Sequence, residues 1–460
     1  MTHKIQFNKI KKNLTPRGVE VNKIQKGIAE RSQQVRCMVY REIEKMIKPI
    51  KALRFTEKAG NIADCVCPPY DIISESEREA LIAKNANNVV RLELPVGEDR
   101  YNEAGRILNE WMNNGILERD EKEGIFVYRE EFNVNGKDYC LTGMICLVEL
   151  KEFSEKVVLP HEETLTKAKQ DRLNLMKATG CNFSSIYSLY SDESGKIEAI
   201  LNEKTTEAPI CRFTDEEEVT HTLWKIDEED SVACIVNTLA DKQLFIADGH
   251  HRYETALNYR NGLTNPPEGA DASHVMMTLV DMDDKGLVVF PTHRLIVDKE
   301  LDRNDIIAKC KNDFDASVLP LAEVKKALEN GENNPTYAFY DGGEDFVLLT
   351  LKDGAKRNID GRSDAYSDLD VSILHSFILE NALGIDKENM ANQINLRYTR
   401  SMDEAIESVK SGKASGAFLI NATKVSQIKA VALAGDKMPQ KSTYFYPKLK
   451  TGLVMNVLKK

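Results

Sequence analysis

The chain has 460 residues, a formal net charge of −11 at pH 7, and 42% hydrophobic and 29% charged residues. This length predicts two or three domains, and the composition is typical of globular proteins. No window approaches the roughly 18 consecutive apolar residues of a membrane helix, and the acidic balance argues against broad nucleic-acid binding. We therefore expect neither a membrane nor a nucleic acid as a partner.

The cysteines and the first residues bear on the compartment. Nine cysteines are scattered without a C-x-x-C pair, so the sequence supports neither a zinc ribbon, a thioredoxin-type site nor a disulfide framework. Together with the lack of a signal peptide, this predicts a cytoplasmic protein. Residues 1–48 are rich in Lys and Arg, and we interpret them as a basic helical extension rather than a transit peptide.

Residues 49–140 are predicted to form an N-terminal α/β domain. SESEREALIAKN predicts a helix with a serine cap, and YNEAGRILNEWMNNGIL predicts an amphipathic helix. NNVVRLELPVG between them alternates like a strand. Asn135-Gly136 predicts the tight turn of a β-hairpin.

Residues 141–296 and 297–460 are predicted to form a second and a third domain. HVMMTLVDMDDKGLVVFPTHRLI predicts two strands around an Asp-Lys-Gly turn, and LDVSILHSFILENALG predicts a long amphipathic helix. Helices and strands alternate throughout, so the expected fold class is α/β or α+β with a mixed sheet. The oligomeric state stays open.

One short stretch, IADGHHR, combines several groups that bind phosphate. It places five residues between a buried strand and a helix: Asp248, Gly249, His250, His251 and Arg252. The free N–H groups of a helix's first turn favour an anion, and a glycine, two imidazoles and a guanidinium make that anion a phosphate. Asp248 would repel phosphate unless Mg²⁺ lies between them. Alternatively, Asp248 orients a histidine or caps the helix.

A second stretch, LPHEETLTKAKQDRL, gathers acids, cations and a histidine. Its polar residues are His161, Glu162, Glu163, Thr164, Lys167, Lys169, Asp171 and Arg172. Such a set supplies a general base and several anion contacts, but a solvated helix start has the same order of acids and bases. FPTHRL, in the same unit, favours the functional interpretation because it brings further polar residues to a strand end: Thr292, His293 and Arg294.

Two other stretches are weaker candidates. MPQKSTYFYPKLKTG contains Lys-Ser-Thr, which is similar to the end of a P-loop, but the glycines that should precede it are missing. We interpret it as a surface or interface loop. CPPYDII is interpreted as a rigid structural turn because Pro68-Pro69 cannot lie inside a helix.

Five stretches together resemble a known family. PPYDII, LPHEETL…KQDRL, ADGHHRYETAL, FPTHRL and MPQKSTYFYPKL occur in the order seen in a widespread prokaryotic family labelled as a domain of unknown function. The resemblance runs from about residue 49 to the C-terminus. The middle unit also resembles the ParB/sulfiredoxin fold. This implies a ParB/sulfiredoxin-like catalytic core at 141–296, flanked by α/β domains at 49–140 and 297–460.

The resemblance also implies a chemistry, because some proteins of that fold are free-serine kinases. In these an acidic residue deprotonates the serine hydroxyl, and a D-G-H-H-R-like loop holds the donor phosphates and Mg²⁺. The catalytic residues implied here are Glu162 as base, Glu163 as the open alternative, and His251. The residues implied for the phosphate donor are Asp248 (also the metal ligand), Gly249, His250, His251, Arg252, Lys167 and Arg172. Those implied for the substrate are Thr164, Thr292, His293 and Arg294.

The function expected from this reasoning is a kinase in amino-acid metabolism, at a step towards cysteine biosynthesis. It would transfer a phosphoryl group from ATP, ADP or pyrophosphate to free L-serine, giving O-phosphoserine. The first alternative is a phosphoserine phosphatase, which would use the same residues. The second is a ParB-like nucleotide-binding regulator, but no basic helix-turn-helix follows the loop between Arg252 and Phe290. Sulfiredoxin chemistry is excluded because the loop has no cysteine.

Overall fold

The computed structural model describes residues 46–162, 164, 166–263, 271–331, 334–355, 359 and 361–458, without the side chains of residues 166–168. The strands are β1 Ile47–Lys48, β2 Leu53–Phe55, β3 Leu117–Arg119, β4 Ile125–Val134, β5 Lys137–Glu149, β6 Val158–Leu159, β7 Cys181–Asn182, β8 Ile186–Tyr190, β9 Cys211–Thr214, β10 Thr220–Ile226, β11 Leu244–Asp248, β12 His274–Asp281, β13 Val288–Phe290, β14 His293–Ile296, β15 Phe314–Pro320, β16 Thr336–Tyr340, β17 Asp345–Leu351, β18 Leu396–Thr399, β19 Gly416–Leu419, β20 Tyr444–Tyr446 and β21 Asn456–Val457.

The helices are α1 Ile62–Cys65, α2 Glu75–Lys84, α3 Val90–Glu93, α4 Arg100–Asn113, α5 Thr166–Thr179, α6 Lys196–Lys204, α7 Glu229–Leu239, α8 His250–Asn261, α9 Arg303–Cys310, α10 Leu321–Asn330, α11 Asp364–Ser367, α12 Asp370–Ile373, α13 Lys387–Asn392, α14 Met402–Lys410 and α15 Val425–Ala434. A π-helical stretch, Leu374–Glu380, follows α12. The helix predicted there is therefore present but is not uniformly α. Among the described residues, none of these helices has the length and apolar character needed to cross a bilayer.

Local sequence explains several of these elements. Ser74 caps α2 in a reciprocal capping box with Glu77. The long hairpin of β4 and β5 turns at Asn135 and Gly136, whose φ angles of 53° and 79° suit the right-handed twist of the strands. Helix α4 buries one apolar stripe, which includes Trp111. These three predictions are confirmed.

One predicted element is wrong. NNVVRLELPVG contains the short helix α3 instead of a strand, because the Asn88 side chain accepts from the Val90 N–H at 2.9 Å and starts a helical turn. The two strands predicted around the Asp-Lys-Gly turn are present as β12 and β13, but they pair with other strands and not with each other. β12 lies between β5 and β8, and β13 pairs with β20.

The larger sheet has nine strands in the order β6-β11-β8-β12-β5-β4-β10-β9, with β1 paired to β5. β6 is parallel to β11 and β8 to β12, whereas the other pairs are antiparallel. The described residues thus form a mixed α/β fold with a large mixed sheet and several further sheets, and the predicted fold class is confirmed. β11 leads directly into the D-G-H-H-R segment.

The second large sheet is antiparallel, with the order β15-β17-β16-β19-β14-β18. One hydrophobic cluster contains side chains of both sheets, such as Phe245 and Phe418. The C-terminal segment returns to the first part of the chain: β20 pairs with β13, β21 pairs with β7, and Met455 bridges Leu53.

Two of the predicted domain limits separate strands that share a sheet. The limit between residues 140 and 141 lies inside β5, and the larger sheet takes strands from both sides of it. The limit after residue 296 assigns β14 to the middle domain, although β14 is an inner strand of the second sheet. The described residues from Ile47 onward belong to one compact unit.

Candidate active site

The D-G-H-H-R segment forms the turn between β11 and α8. β11 is buried up to Ala247, and Asp248 ends it. Gly249 has a φ of 95°, which side chains with a Cβ rarely adopt, and a Cβ there would lie 2.9 Å from Arg252 Nε. Only glycine therefore allows the chain to turn into α8 while the guanidinium packs against it.

Both oxygens of the Asp248 carboxylate bind cations. Oδ1 accepts from Lys448 Nζ at 2.7 Å, and Oδ2 accepts from Arg252 Nη2 at 2.6 Å. Burial raises the pKa of Asp248, but these two charges outweigh it and hold the pKa well below its ordinary value. Asp248 is therefore an ionised anchor for a cation from α8 and a cation from the C-terminal segment.

The histidines act as neutral groups. His250 Nε2 accepts from the backbone N–H of His161 at 3.2 Å, and the two rings meet edge to face at 4.6 Å. Burial lowers the pKa of His161 to about 4 and that of His250 well below its ordinary value. The pKa of His251 is also lowered by burial. The imidazoles supply hydrogen-bond donors and acceptors at pH 7, not positive charge.

Glu162 is held next to this histidine pair. The backbone carbonyl of its neighbour His161 accepts from the backbone N–H of Met438 at 2.7 Å, and the ring atom His161 Nε2 lies 3.1 Å from Thr443 Oγ1. Burial raises the pKa of Glu162 to about 7, although the charge of Lys441 lowers it. A carboxyl group with this pKa is suited to accept a proton near neutral pH.

Glu162 and the D-G-H-H-R segment face one cavity of about 490 Å³. Of the predicted site residues, the structure brings Glu162, the five residues from Asp248 to Arg252, and Thr292 together in its lining. The cavity contains five cationic and three carboxyl side chains from the described residues: Arg252, Arg397, Arg400, Lys441 and Lys448 against Asp71, Glu162 and Asp248. Five against three leaves a positive excess that favours a polyanionic ligand.

Three of these cations have no carboxylate partner in the part of the chain that the structure describes: Arg397, Arg400 and Lys441. All three are exposed, and Arg400 lies 4.0 Å from the centroid of the Tyr444 ring. Arg397 donates to the carbonyls of Gln393 and Leu396 through Nη1 alone, so its other N–H donors and those of Arg400 and Lys441 remain available for phosphate or carboxylate groups.

Four predicted residues lie outside the described lining. Thr164 donates to Glu254 Oε1 at 2.8 Å. Arg172 donates to the Glu93 carbonyl at 2.6 Å, and its Cζ lies 4.2 Å from the centroid of the Tyr70 ring. Arg172 therefore packs against Tyr70, which lines the cavity.

His293 and Arg294 are buried beneath the site. His293 Nδ1 accepts from the Ile420 N–H at 3.2 Å, and Arg294 donates to the carbonyls of Thr292 and Lys441. Arg294 thus holds two cavity segments by their backbones. Glu163 and the side chain of Lys167 lie outside the described residues.

Sequence reasoning missed two segments that line the cavity. Tyr70, Asp71 and Ile72 form a 3-10 turn directly after Pro69, so the rigid turn points at the site. The other segment is β18 with its flanks, from Gln393 to Arg400. Its arginines carry no local signal that separates them from ordinary surface arginines. The Lys-Ser-Thr stretch, interpreted above as a surface loop, also contributes Lys441 and Thr443.

The described residues do not fit a metal held by the protein. Among them, no group of three or more His, Cys, Asp or Glu side chains is arranged to bind a metal ion. Asp248, the predicted ligand, already gives each oxygen to a cation.

Solved structures similar to this chain have low identity. Free serine kinase in complex with AMP is 13% identical with a TM-score of 0.35, and 67% of this chain and 91% of that chain are covered. SbnI with a C-terminal truncation, from Staphylococcus aureus, is 10% identical with a TM-score of 0.35, and the coverage is 69% and 89%. A conserved hypothetical protein from Pyrococcus furiosus is 15% identical with a TM-score of 0.33, and the coverage is 67% and 95%.

The sequence itself has a clear family relation. No curated protein matches it. Residues 47–372 match the family described as Protein of unknown function (DUF1015). Four of the five stretches that carry the resemblance lie in the matched range, and MPQKSTYFYPKL lies beyond it. The chain belongs to this family.

Proposed function

We propose that this protein is a kinase that transfers a phosphoryl group to the hydroxyl of free L-serine. The observation that carries the proposal is one cavity that holds both halves of such a reaction. Glu162, with its pKa raised to about 7 by burial, faces the anchored Asp248–Arg252 turn and three cations that make no salt bridge with the described residues. The proposed base for the serine hydroxyl and the proposed phosphate-binding groups line the same cavity, whose volume is about 490 Å³.

In the proposed reaction, Glu162 accepts the proton of the serine hydroxyl while its oxygen forms a bond to phosphorus. The bond between that phosphorus and the donor's bridging oxygen breaks, and the remaining donor phosphate leaves. The lining cations balance the negative charge on the transferred group and on the leaving phosphate, which is the main contribution a protein makes to phosphoryl transfer.

We do not assign the serine carboxylate to Arg294, because the guanidinium of this residue already donates to two backbone carbonyls. Arg397 and Lys441 line the cavity and make no salt bridge with the described residues, and Arg397, which donates to two backbone carbonyls through Nη1 alone, keeps Nε and Nη2 for a ligand. Thr292 also lines the cavity, and its hydroxyl group is proposed as a hydrogen-bond partner of the serine substrate. Donors to be considered are ATP, ADP and pyrophosphate, each as its Mg²⁺ complex.

The test is an assay of the purified protein with L-serine, Mg²⁺ and each of the three donors in turn. We expect O-phosphoserine, detected by mass spectrometry, with at least one donor. The same protein is offered O-phosphoserine alone. Release of serine and phosphate, with no product from any donor, would replace the kinase by a phosphatase. Binding of a nucleotide with neither reaction would favour the regulator.

The pH dependence follows from Glu162. Because burial raises the pKa of this carboxyl group to about 7, it is protonated and inactive as a base below that pH. We expect kcat/KM to rise with pH through a midpoint near 7. Donor affinity measured over the same range separates this limb from ionisation of the donor. A profile that is flat from about pH 5.5 to 8.5 would contradict Glu162 as the base.

Arg252→Ala should mainly weaken donor binding. The guanidinium lies in the phosphate-facing turn, so we expect the donor Kd to rise about tenfold or more, the loss typical of a charge-assisted hydrogen bond. Arg260→Ala is the matched control, since this arginine is on the last turn of the same helix and pairs with Glu152. Titration calorimetry measures both. An unchanged Kd in Arg252→Ala would mean that the turn is only a helix cap.

A further inference from the structure

The two cations on Asp248 are held in different ways. Arg252 has a second anchor, because it also donates to the Ser185 carbonyl, and it lies on the first turn of α8. Lys448 comes from the C-terminal segment. Its one hydrogen bond to the described residues is the one to Asp248 Oδ1, and its Nζ lies 4.4 Å from the centroid of the Tyr444 ring. Arg252 is thus held by two anchors, whereas Lys448 is held by Asp248 as its one hydrogen-bond partner among the described residues.

The Lys448 ammonium lies in the lining of the cavity and keeps its charge. Burial works against the charged form, but the charge of Asp248 outweighs it and raises the pKa of Lys448. An ammonium has three N–H donors, and one is used on Asp248. The other two are available to ligand oxygens in the cavity. A compact cation of this kind is a common partner of phosphate.

The position of Lys448 beside Asp248 is the one that a metal ion would otherwise take. A carboxylate at the start of a phosphate-binding turn needs a cation between itself and the phosphate, because two anions repel each other. Lys448 lies on one oxygen of this carboxylate and also faces the cavity. It therefore has the place in which the sequence alone suggested a metal.

We propose that Lys448, rather than a metal held by Asp248, is the catalytic cation that contacts the phosphoryl group during transfer. This inference rests on the proposed kinase function. Lys448 donates to a non-bridging oxygen of the phosphoryl group and stays protonated. The proton of the serine hydroxyl goes to Glu162, and the bond that breaks is the one between phosphorus and the leaving oxygen. Asp248 keeps the ammonium oriented throughout.

Lys448→Met tests the contact, because it keeps an apolar chain of similar length and removes the charge. The matched control is Lys450→Met, which removes a Lys–Asp pair of the same kind. Lys450 Nζ lies 2.6 Å from Asp215, its side chain is 11% exposed compared with 13% for Lys448, and it faces a neighbouring cavity. Thermal melting of both full-length variants shows whether they fold.

Binding of pyrophosphate and of ADP is measured by calorimetry, first in EDTA and then with Mg²⁺. We expect Lys448→Met to weaken binding about tenfold or more even in EDTA, and Lys450→Met to stay within about twofold of the natural protein. Lys448→Arg keeps the charge and should recover part of the affinity. Equal affinities in the natural protein and Lys448→Met would overturn the proposal.

A second measurement addresses the metal. Mn²⁺ alone is titrated into the natural protein and into Asp248→Asn and followed by electron paramagnetic resonance. We expect no saturable site that depends on Asp248, and such a site would overturn the proposal. If no donor yields phosphoserine, the kinase function fails, while the binding measurements still show whether Lys448 contacts phosphate.

Discussion

Glu162→Gln is expected to lower kcat for phosphoserine formation by about 10³-fold, within the range for loss of a general base. The amide has nearly the shape of the carboxyl group but does not accept the proton of the serine hydroxyl. Donor affinity should change little, because the proposed phosphate contacts are the turn after β11 and the C-terminal cations that line the cavity. Steady-state kinetics and calorimetry on the same preparation measure both quantities.

Substitutions of two other glutamates provide a control and a test of the alternative base. Glu217→Gln alters an exposed side chain in the neighbouring cavity, so kcat should stay within about twofold of the natural protein. Glu163→Gln tests the adjacent carboxyl group, which the sequence could not separate from Glu162. Full activity in Glu162→Gln together with loss of activity in Glu163→Gln would transfer the base to Glu163.

Asp248→Ala is expected to lower the free energy of unfolding by about 3 kcal/mol, as for other buried ion pairs from which one partner is removed. The carboxylate is the partner of both Lys448 and Arg252, whose side chains are each 13% exposed. Without it, two mostly buried cations face each other unneutralised. Phosphoserine formation should fall with stability, because both cations lose their orientation.

Denaturant titration of the natural protein and of Asp248→Ala, at several pH values, measures this effect. The pKa of Asp248 is depressed in the folded state, so its contribution is fully present above the unfolded pKa of about 3.9 and is lost as the pH falls through the folded pKa. The two proteins should therefore converge in acid. Asp305→Ala, which breaks an exposed pair with Lys309, is the control. A loss below about 1 kcal/mol at pH 7 would mean that the Asp248 pairs contribute little.

Sequence patterns predicted the parts of the fold that depend on neighbouring residues. A capping box set the start of α2, Asn135-Gly136 set the hairpin, and β11, Gly249 and α8 followed from a buried run, a glycine and a helical pattern. The prediction for NNVVRLELPVG was wrong, although it too rested on neighbouring residues. Its alternation resembled a strand, but the Asn88 side chain satisfies a backbone N–H and starts a helical turn.

Residue types alone indicated stretches that contribute to the cavity, but they could not say which side chains face it. Thr292, His293 and Arg294 are consecutive, yet only Thr292 is in the lining, because the next two residues belong to an inner strand between two others. Histidines can carry positive charge, but burial leaves the two histidines of the turn neutral. Apart from Arg252, the positive charge of the cavity comes from residues distant in the chain.

The sequence by itself determined the candidate phosphate-binding turn, the candidate base Glu162 and the family to which the chain belongs. Only the tertiary structure decided which cations face that turn. β18 and the segment around Lys448 are separated from Asp248 by well over a hundred residues, and they reach it because β18 pairs with β14 and β20 pairs with β13. Local patterns report interactions between residues close in the chain, whereas the charge of a cavity is the sum over segments that only packing brings together.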